Sequence, residues 1–391
     1  MITVQEAKNR VVEKIAASKV ITASVPDALN YYLAEDIIAP VSIPLFNQSA
    51  MDGYAFKFED VSQSLIVVDE IPAGDTREVS ISKGEAVRIF TGSRVPDTCD
   101  TVVMQELTEI VDGKLLVKDE GLKLNGNVRL KGNQIQEGSI ALKKGTKINA
   151  GGVGFLSALG ITQVNVYQQP SVIIIATGSE LVKPGNDLLD GQIYESNTFM
   201  LEAALKDMGI QPTIVVVKDD QEETERVISD GLRNNNLVLL SGGISVGDYD
   251  FVEAALEKNG VKPLFYKIKQ KPGKPLYFGQ TNQTTVFALP GNPAAALSCF
   301  YEYVSIALKL MLGSSQPELS KLTLPISKVY RKKAGRANFL KGITDFKTVT
   351  PLEGQSSDAL QSFSLANCLI FTSEETTTIE EGELVEVHLL S

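Results

Sequence analysis

Short segments made wholly of apolar residues alternate with longer amphipathic segments between residues 171 and 318, and this alternation constrains the fold more than any other feature. The segments 172–176 and 237–240 are apolar throughout, and a helical pattern follows each of them. A strand that is apolar on both faces must be covered on both faces, as in a parallel sheet with helices on either side. The pattern therefore predicts an α/β domain at 169–318.

The same periodicity places the individual elements of this domain. Strands are predicted at 172–176, 214–217, 237–240, 262–268 and 285–289. Helices are predicted around 201–208 and at 221–233, 251–258 and 292–312. In the last helix, Pro293 suits the first turn and Gly313 suits the position after the end. In a sheet of this kind, ligands bind at the carboxyl ends of the strands.

The segment before this domain has a different pattern. Thr3 and Glu6 form the sequence of a capping box, which predicts an N-terminal helix. Residues 38–148 predict short strands that are separated by turn signals. A short helix at 152–159 and a strand at 163–166 are expected to close this half of the chain.

The tail at 319–391 again has the pattern of strands, with alternating residues at 384–390. A small β-barrel is the predicted outcome. The whole chain is therefore predicted to be a multidomain protein of the α/β plus β class.

The chain is acidic, with a formal net charge of −11. This charge argues against general binding to nucleic acid or to an anionic membrane surface. An anionic substrate would need a local basic pocket. The N-terminal residues show no signal-peptide pattern and no apolar run reaches the length of a membrane span, so we expect a cytoplasmic protein.

The scarcity of histidine and cysteine limits the possible chemistry. His388 is the sole histidine, which excludes histidine-based triads and multi-histidine metal sites within one chain. The three cysteines, Cys99, Cys299 and Cys368, are widely spaced and form no CxxC pair. Acid–base or metal chemistry must therefore use carboxylates, lysines and backbone groups.

Polar or glycine-rich turns follow the predicted strands, as in TGSE at 177–180, KDD at 218–220 and SGGISVGDYD at 241–250. Glycine turns of this kind leave backbone N–H groups free to meet an anion. One edge of the sheet would collect the carboxylates of Glu180, Asp219 or Asp220, Asp248 and Asp250. Such a set without histidine or thiolate favours Mg²⁺. The alternative is that these acids only cap helix N-termini.

Positive charge is concentrated in the segment KIKQKPGK at 267–274. Pro272 and Gly273 hold Lys271 and Lys274 at a turn, and lysine suits contact with phosphate or another oxyanion. The alternative is a solvated edge strand whose lysines deter pairing. The nearby LPGNP at 289–293 opens the long helix.

In that segment Asn292 is expected to cap the helix, and free N–H groups at its start could meet a phosphate. In the β-rich half, Asp52-Gly53 lies in NQSAMDGYAF at 47–56, and Thr91 lies in RIFTGS at 88–93. Taken alone, Asp-Gly is only a hairpin signal.

Seven motifs occur in one order along the chain: NQSAMDGYA at 47–55, RIFTGSRVP at 88–96, VVMQE at 102–106, TGSEL at 177–181, SGGISVGDYD at 241–250, KPGKP at 271–275 and LPGNP at 289–293. Together they closely resemble the molybdopterin molybdenumtransferase (MoeA) family, whose eukaryotic counterpart is the gephyrin E domain. The similarity covers essentially the whole chain. The α/β part alone also resembles molybdopterin adenylyltransferases and the competence-damage amidohydrolase family.

The resemblance implies four domains in an elongated homodimer with active sites between subunits. An N-terminal extended region would comprise 1–37 and 135–168, with a β-rich domain inserted at 38–134. A molybdopterin-binding three-layer α/β domain would follow at 169–318, and a β-barrel at 319–391.

The resemblance also implies the reaction. Molybdate would be joined to the dithiolene of adenylylated molybdopterin, and AMP would be released with Mg²⁺. A molybdopterin adenylyltransferase would supply the substrate. Three alternatives stay open: a tungstate-inserting homologue, a nucleotide or amide hydrolase that shares the α/β domain, and a binding or scaffold protein that has kept the fold.

Individual roles follow from the matching motif positions and from the turns. Asp52, Thr91 and Asp250 are the predicted catalytic residues, and Glu180, Asp248 and Asp250 are the predicted metal ligands. The resemblance pairs Arg336 with Ser357 for anion binding. The full predicted binding set is Thr177, Gly178, Glu180, Asp219, Asp220, Ser241, Gly242, Gly243, Ser245, Lys267, Lys271, Lys274, Pro290, Gly291, Asn292, Arg336 and Ser357.

Overall fold

A computed structural model of the chain describes residues 1–218, 220–242 and 251–390. The chain divides into two compact units. The larger unit consists of Met1–Ile21, Asn30–Ala34 and Asn165–Ser391, and the smaller unit of Thr22–Leu29 and Glu35–Val164. The predicted four-domain boundaries remain a prediction.

Eight α-helices lie in the described part of the chain. They are α1 (Val4–Lys14), α2 (Ala150–Ala158), α3 (Asn197–Asp207), α4 (Gln221–Asn234), α5 (Phe251–Lys258), α6 (Pro293–Cys299), α7 (Ser305–Met311) and α8 (Leu360–Leu365). A π-helical segment, Phe300–Val304, joins α6 to α7. Short 3₁₀ turns lie at Pro26–Ala28, Phe58–Asp60 and Gln105–Leu107. The predicted capping box of α1 is confirmed.

The first twelve strands precede the α/β sheet. They are β1 (Val20–Ser24), β2 (Ile37–Ile38), β3 (Gln48–Ser49), β4 (Gly53–Phe56), β5 (Ile66–Ile71), β6 (Glu85–Ile89), β7 (Thr101–Met104), β8 (Thr108–Val111), β9 (Lys114–Val117), β10 (Val128–Arg129), β11 (Ile140–Leu142) and β12 (Gln163–Tyr167).

The remaining strands belong to the larger unit. They are β13 (Val172–Thr177), β14 (Leu181–Val182), β15 (Ile193–Tyr194), β16 (Thr213–Val217), β17 (Leu237–Ser241), β18 (Lys262–Tyr266), β19 (Gln270–Lys271), β20 (Tyr277–Gln280), β21 (Thr285–Leu289), β22 (Lys321–Pro325), β23 (Tyr330–Arg331), β24 (Ala337–Thr344), β25 (Val349–Pro351), β26 (Cys368–Thr372), β27 (Thr378–Ile379) and β28 (Leu384–Leu389).

The central sheet of the larger unit has the order β16-β13-β17-β21-β20-β18. The first four strands are parallel, but β20 pairs antiparallel with both β21 and β18. The expectation of a purely parallel sheet is therefore wrong, and β20 was missed. The cause is chain length, since a parallel connection needs a crossover of roughly a dozen residues or more. The turn before β21, closed by a hydrogen bond from Thr281 N to Thr284 O (2.9 Å), allows only a hairpin.

A second sheet in the larger unit has the order β19-β24-β26-β28-β22, with β25 paired to β24. Its first strand, β19, comes from the lysine-rich segment at 267–274 and runs parallel to β24, with Gln270 opposite Ala337 and Lys271 opposite Asn338. This pairing brings the lysine-rich segment against the C-terminal strands.

The helical run Pro293–Met311 is long and apolar enough to cross a membrane by length and composition. However, 83% of its apolar window is buried inside the structure. Ala294, Phe300 and Ile306 belong to the largest apolar cluster of the larger unit. The run is therefore the core helix of this unit, and its apolar character is explained by burial on all sides.

A buried charge network crosses the core beside this helix. Lys8 Nζ lies 2.5 Å from Glu302 Oε2, and His388 Nδ1 lies 2.7 Å from Glu302 Oε1. His388 Nε2 lies 2.7 Å from Glu386 Oε1. The three side chains of Lys8, Glu302 and His388 are at most 6% exposed. The sole histidine is thus a structural residue with both ring nitrogens engaged.

The smaller unit contains a four-stranded sheet in the order β5-β6-β4-β7. Gly53 opens β4, opposite Ile89 of β6 and Met104 of β7. A Cβ atom at Gly53 would lie 1.8 Å from the carbonyl oxygen of Val103. This close approach explains why glycine follows Asp52 in the motif.

Gly53→Ala is expected to destabilise the protein by about 1–3 kcal/mol, because the new methyl group forces β4 and β7 apart. Urea unfolding followed by circular dichroism measures this change. Gly154→Ala is the matched control, since Gly154 lies inside α2 and, beyond its chain neighbours and the backbone of its own helix, no atom lies within 4 Å of the new Cβ. That control should be neutral or stabilising. A Gly53→Ala protein as stable as wild type would contradict the packing argument.

Candidate functional site

Three cations meet in a cavity of about 400 Å³ in the larger unit. We call this the cation pocket and define it by Lys271, Lys274 and Arg336. Its other lining residues are Gln270, Pro272, Gly273, Pro275, Pro290, Gly291, Asn292, Ala295 and Ser357. The cation pocket brings together seven members of the predicted binding set: Lys271, Lys274, Pro290, Gly291, Asn292, Arg336 and Ser357.

The pairing of β19 with β24 explains how Arg336 reaches the lysines. Arg336 directly precedes β24, and the next residue, Ala337, donates its N–H to Lys269 O at 2.9 Å. On the same pair of strands, Lys271 lies opposite Asn338, two residues after Arg336. Backbone hydrogen bonds therefore fix the spacing between two cations that are far apart in sequence.

Asn292 and Ser357 form the other side of the cation pocket. Asn292 Nδ2 donates to Ser357 Oγ at 2.7 Å, and Ala295 N donates to Ser357 O at 3.0 Å. Asn292 occupies the N-cap position of α6, but its side chain makes no capping hydrogen bond. The expectation that Asn292 caps this helix is therefore wrong, because the carbonyl of Ser357 takes the N–H of Ala295.

A buried lysine that sequence reasoning missed supports Ser357. Lys341 Nζ donates to the carbonyls of Gly354 (2.7 Å), Ser356 (3.2 Å) and Ala359 (3.0 Å). Burial lowers the pKa of Lys341. The ammonium group thus holds the loop that presents Ser357 to the pocket, and only a contact map could reveal this role.

The charge of the cation pocket is uncompensated by nearby acids in the part of the chain that the structure describes. Within those residues, Lys271, Lys274 and Arg336 form no ion pair and no carboxylate lines the cavity. All three side chains belong to exposed residues. A concentration of positive charge in a chain of net charge −11 is suited to an anion.

The other predicted lysine lies elsewhere. Lys267 Nζ sits over the ring of Tyr266, 4.6 Å from its centroid, and Lys267 does not line the cation pocket. Its backbone is left-handed, with φ of 70°.

The carboxyl edge of the central sheet lies beside the cation pocket, and a second missed residue joins the two. Asn197 Nδ2 donates to Ser241 Oγ (2.9 Å) and to Gly291 O (2.8 Å). Ser241 ends β17, whereas Gly291 lines the cation pocket. The sequence signal that could have identified Asn197 is a polar residue at the start of a helix that faces this edge.

Two further predicted turns also lie on this edge. Thr177 ends β13, followed by Gly178 and the exposed Glu180. Thr177 O lies beside Gly242, whose φ is 89°. Asp220 Oδ1 accepts from Glu223 N at 2.7 Å and caps α4, as the capping alternative proposed for these acids.

Several predicted site residues lie outside the described residues: Asp219, Gly243, Ser245, Asp248 and Asp250. Glu180 is therefore the one predicted metal ligand that the structure places. Within the described ranges, no group of three His, Cys, Asp or Glu side chains could hold a metal ion.

Asp52 and Thr91 lie together in the smaller unit. Asp52 Oδ1 accepts from the backbone N–H of Thr91 (2.7 Å) and from its hydroxyl (2.8 Å). These two bonds, with the charge of Arg88, hold the pKa of Asp52 below its ordinary value. Arg88 is itself stacked over the rings of Tyr54 and Phe90. The result is an exposed carboxylate that is ionised and fixed in direction.

Three family profiles match the chain in succession: the MoeA N-terminal region (domain I and II) at residues 2–160, a probable molybdopterin binding domain at 173–310, and the MoeA C-terminal region (domain IV) at 323–390. A molybdopterin molybdenumtransferase of Haemophilus influenzae is 33% identical over 410 residues, covering 100% of both chains. The chain belongs to the molybdopterin molybdenumtransferase (MoeA) family. A second member of the family, from Staphylococcus epidermidis, is 33% identical over 99% of this chain and 95% of its own length.

Solved MoeA structures agree with this assignment. Two structures of the molybdopterin biosynthesis MoeA protein from Pyrococcus horikoshii superpose with TM-scores of 0.82 and 0.85, at 29% and 27% identity. Both cover 100% of this chain, and 99% and 100% of their own chains. The predicted family, the α/β plus β fold class and the transferase class are confirmed.

Proposed function

We propose that the protein is a molybdopterin molybdenumtransferase that joins molybdate to adenylylated molybdopterin and releases AMP. Family membership implies a transferase of molybdenum cofactor biosynthesis. The observation that carries the proposal is the cation pocket, where Lys271, Lys274 and Arg336 meet without a lining carboxylate among the described residues.

The chemistry of the lining matches a small oxyanion such as molybdate. Lysine supplies a compact point charge, and arginine supplies a fork of donors that fits two oxygens at once. Asn292 and Ser357, already bonded to each other, add polar groups beside these charges. The pocket can therefore hold a dianion by charge and by directed hydrogen bonds.

Asp52 is proposed to position the metal centre or the attacking oxygen. Its two bonds from Thr91 keep the carboxylate ionised and oriented. His388 takes no part, because it is buried with both ring nitrogens engaged. General-base work then falls to a carboxylate or to the oxyanion itself.

Glu180, Asp248 and Asp250 are proposed to hold Mg²⁺, which would supply positive charge to a phosphorylated substrate. The described residues alone do not form its site, because they contain no cluster of three metal-ligating side chains. Of the proposed ligands, Glu180 is described, and Asp248 and Asp250 lie outside the described residues. The proposal for Mg²⁺ therefore rests on the motif SGGISVGDYD and on the resemblance.

The assembly and setting are proposed on the same basis. The protein would be a cytoplasmic homodimer with active sites between subunits, with no nucleic-acid or membrane partner. A molybdopterin adenylyltransferase would hand over the substrate. Asp52 and Thr91 of one subunit would act with the α/β domain of its partner.

The test is AMP release from adenylylated molybdopterin, measured with and without molybdate and Mg²⁺. We expect release that needs both ions. Release with tungstate but not molybdate would replace the metal in the proposal, and release without either oxyanion would favour a hydrolase. Tight substrate binding without any release would favour a binding role.

Lys271→Ala and Lys274→Ala are each expected to raise the KM for molybdate about tenfold or more, because a charge-assisted hydrogen bond to the oxyanion is lost. Steady-state AMP release at varied molybdate measures the change. Lys269→Ala is the matched control, since Lys269 lies in the same segment but does not line the cation pocket. Equal molybdate KM values for all three variants and wild type would rule out this pocket as the oxyanion site.

A further inference from the structure

Gln270 is fully buried and directly precedes the first lysine of the cation pocket. Its Nε2 donates to the carbonyls of Pro272 and Gly273, at 3.1 Å each, and lies 3.6 Å from Cys299 Sγ. The side chain thus folds back onto its own loop. It fixes the backbone between Lys271 and Lys274 from beneath.

Tyr303 completes the hydrogen bonding of Gln270. Its hydroxyl donates to Gln270 Oε1, and Tyr303 is fully buried within the π-helical segment. Because two carbonyl oxygens face one end of the amide and a hydroxyl faces the other, the amide has one favourable orientation. Every polar atom of this buried side chain is satisfied, as buried polar groups generally are.

Gly273 shows how closely the loop rests on this support. Its φ is 80°, and a Cβ atom there would lie 2.4 Å from Cys299 Sγ and 2.9 Å from Gln270 Nε2. The loop therefore packs directly on α6, whose preceding residue Asn292 contacts Ser357. The turn at 271–274 and Ser357 on the opposite wall of the cation pocket therefore both contact α6.

We propose that Gln270 and Tyr303 are positioning residues that set the separation of Lys271 and Lys274 for the oxyanion. This inference rests on the proposed function of the cation pocket. Neither residue touches the oxyanion, since Tyr303 does not line the pocket and the polar atoms of Gln270 point to the loop and to Tyr303. Their effect passes through the backbone of the loop to the two ammonium groups.

The test compares Tyr303→Phe and Gln270→Met with wild type by two readouts. The first is steady-state AMP release at varied molybdate. The second is hydrogen exchange of the loop amides of Lys271, Gly273 and Lys274, without any ligand. Tyr303→Phe removes one buried hydrogen bond and keeps the ring. It should therefore preserve the fold even if Gln270→Met disturbs it.

We expect Tyr303→Phe to raise the molybdate KM about 2- to 12-fold, the range for one hydrogen bond, with kcat within about twofold of wild type. Gln270→Met, which removes three bonds, should raise the KM further. Loop exchange should quicken in both variants.

Thr284→Val is the matched control. Thr284 is buried and its hydroxyl donates to Leu232 O (2.7 Å) and Asn235 O (2.9 Å), at the opposite end of β21 from Pro290. It should lose a similar amount of thermal stability with no change in molybdate KM or loop exchange.

The outcomes separate the two proposals. If wild type shows no molybdate-dependent release, the proposed function fails, whereas the exchange readout still decides whether Gln270 and Tyr303 hold the loop. If wild type is active and the variants keep its molybdate KM, the positioning role is overturned and the function stands. Unchanged loop exchange in both variants overturns the inference in either case.

Discussion

Lys8→Met is expected to lower the free energy of unfolding by about 3–5 kcal/mol, because it leaves the carboxylate of Glu302 buried without its ammonium partner. Glu302 is 1% exposed and Lys8 is 5% exposed. Burial acts to raise the pKa of Glu302, but the charge of Lys8 and the hydrogen bond and charge of His388 outweigh it and hold the pKa below its ordinary value. Removing Lys8 takes away the largest of the effects that lower the pKa of Glu302.

The pH dependence sharpens this test. A carboxyl group whose pKa is lowered by folding stabilises the protein above its ordinary pKa, and that stability is lost as the pH falls. In Lys8→Met the pKa of Glu302 should rise instead, because burial is less well opposed. The stability difference between wild type and variant should therefore narrow as the pH falls through the carboxyl range.

Urea unfolding between neutral and acidic pH provides the measurement. The double variant Lys8→Met, Glu302→Leu is the control, since replacing a buried pair by apolar side chains is often nearly neutral. It should recover much of the stability lost in Lys8→Met. A single variant within about 1 kcal/mol of wild type at neutral pH would contradict the buried-pair argument.

Asp52→Ala is expected to lower the turnover of AMP release by at least about 100-fold, the scale of a positioned acid–base or charged group in catalysis. Substrate affinity should stay within a few-fold, because Asp52 lies outside the cation pocket. Single-turnover AMP release and equilibrium binding of molybdate separate the two effects. Wild-type turnover by Asp52→Ala would rule out Asp52 as a catalytic residue.

Thr91→Val gives a graded comparison for Asp52. It removes the hydroxyl bond to Asp52 Oδ1 but keeps the bond from the backbone N–H. Its turnover should lie between those of wild type and Asp52→Ala. Mixing equal amounts of Asp52→Ala and Lys274→Ala then tests the proposed shared site at molybdate concentrations below the wild-type KM. About half of the dimers would be mixed, and each mixed dimer would carry one intact site of its two, which would restore about a quarter of wild-type activity. No recovery would place both residues in one subunit's site.

The sequence predicted the central elements well where burial left a periodic trace. The segment 237–240 is apolar throughout, and β17 is buried at all five positions. β20 escaped notice because Tyr277–Gln280 is short and lies only one turn before β21. Local pattern therefore located the buried parallel strands but did not show the direction of a hairpin strand at the sheet edge.

The site was predicted less completely, because its contacts join segments far apart in sequence. Asn292 was expected to act locally as a cap, yet its partner Ser357 is 65 residues away. Lys341 and Tyr303 lie in none of the seven sequence motifs. Their roles depend on which carbonyl or amide the fold places beside them. Lys271 and Lys274 were predicted from the concentration of lysines at 267–274, whereas Arg336 was predicted only from the resemblance, as a partner of Ser357.

The network around Glu302 also has a consequence for the folding of the chain during its synthesis on the ribosome. Glu302 and His388 are 86 residues apart, so at about 5–20 residues per second roughly 4–17 s separate their synthesis. Throughout that interval Glu302 can meet Lys8 but has no imidazole beside it. The core helix therefore acquires its last hydrogen-bond partner in this network only when β28 has been synthesised, and the core of the larger unit is completed late in translation.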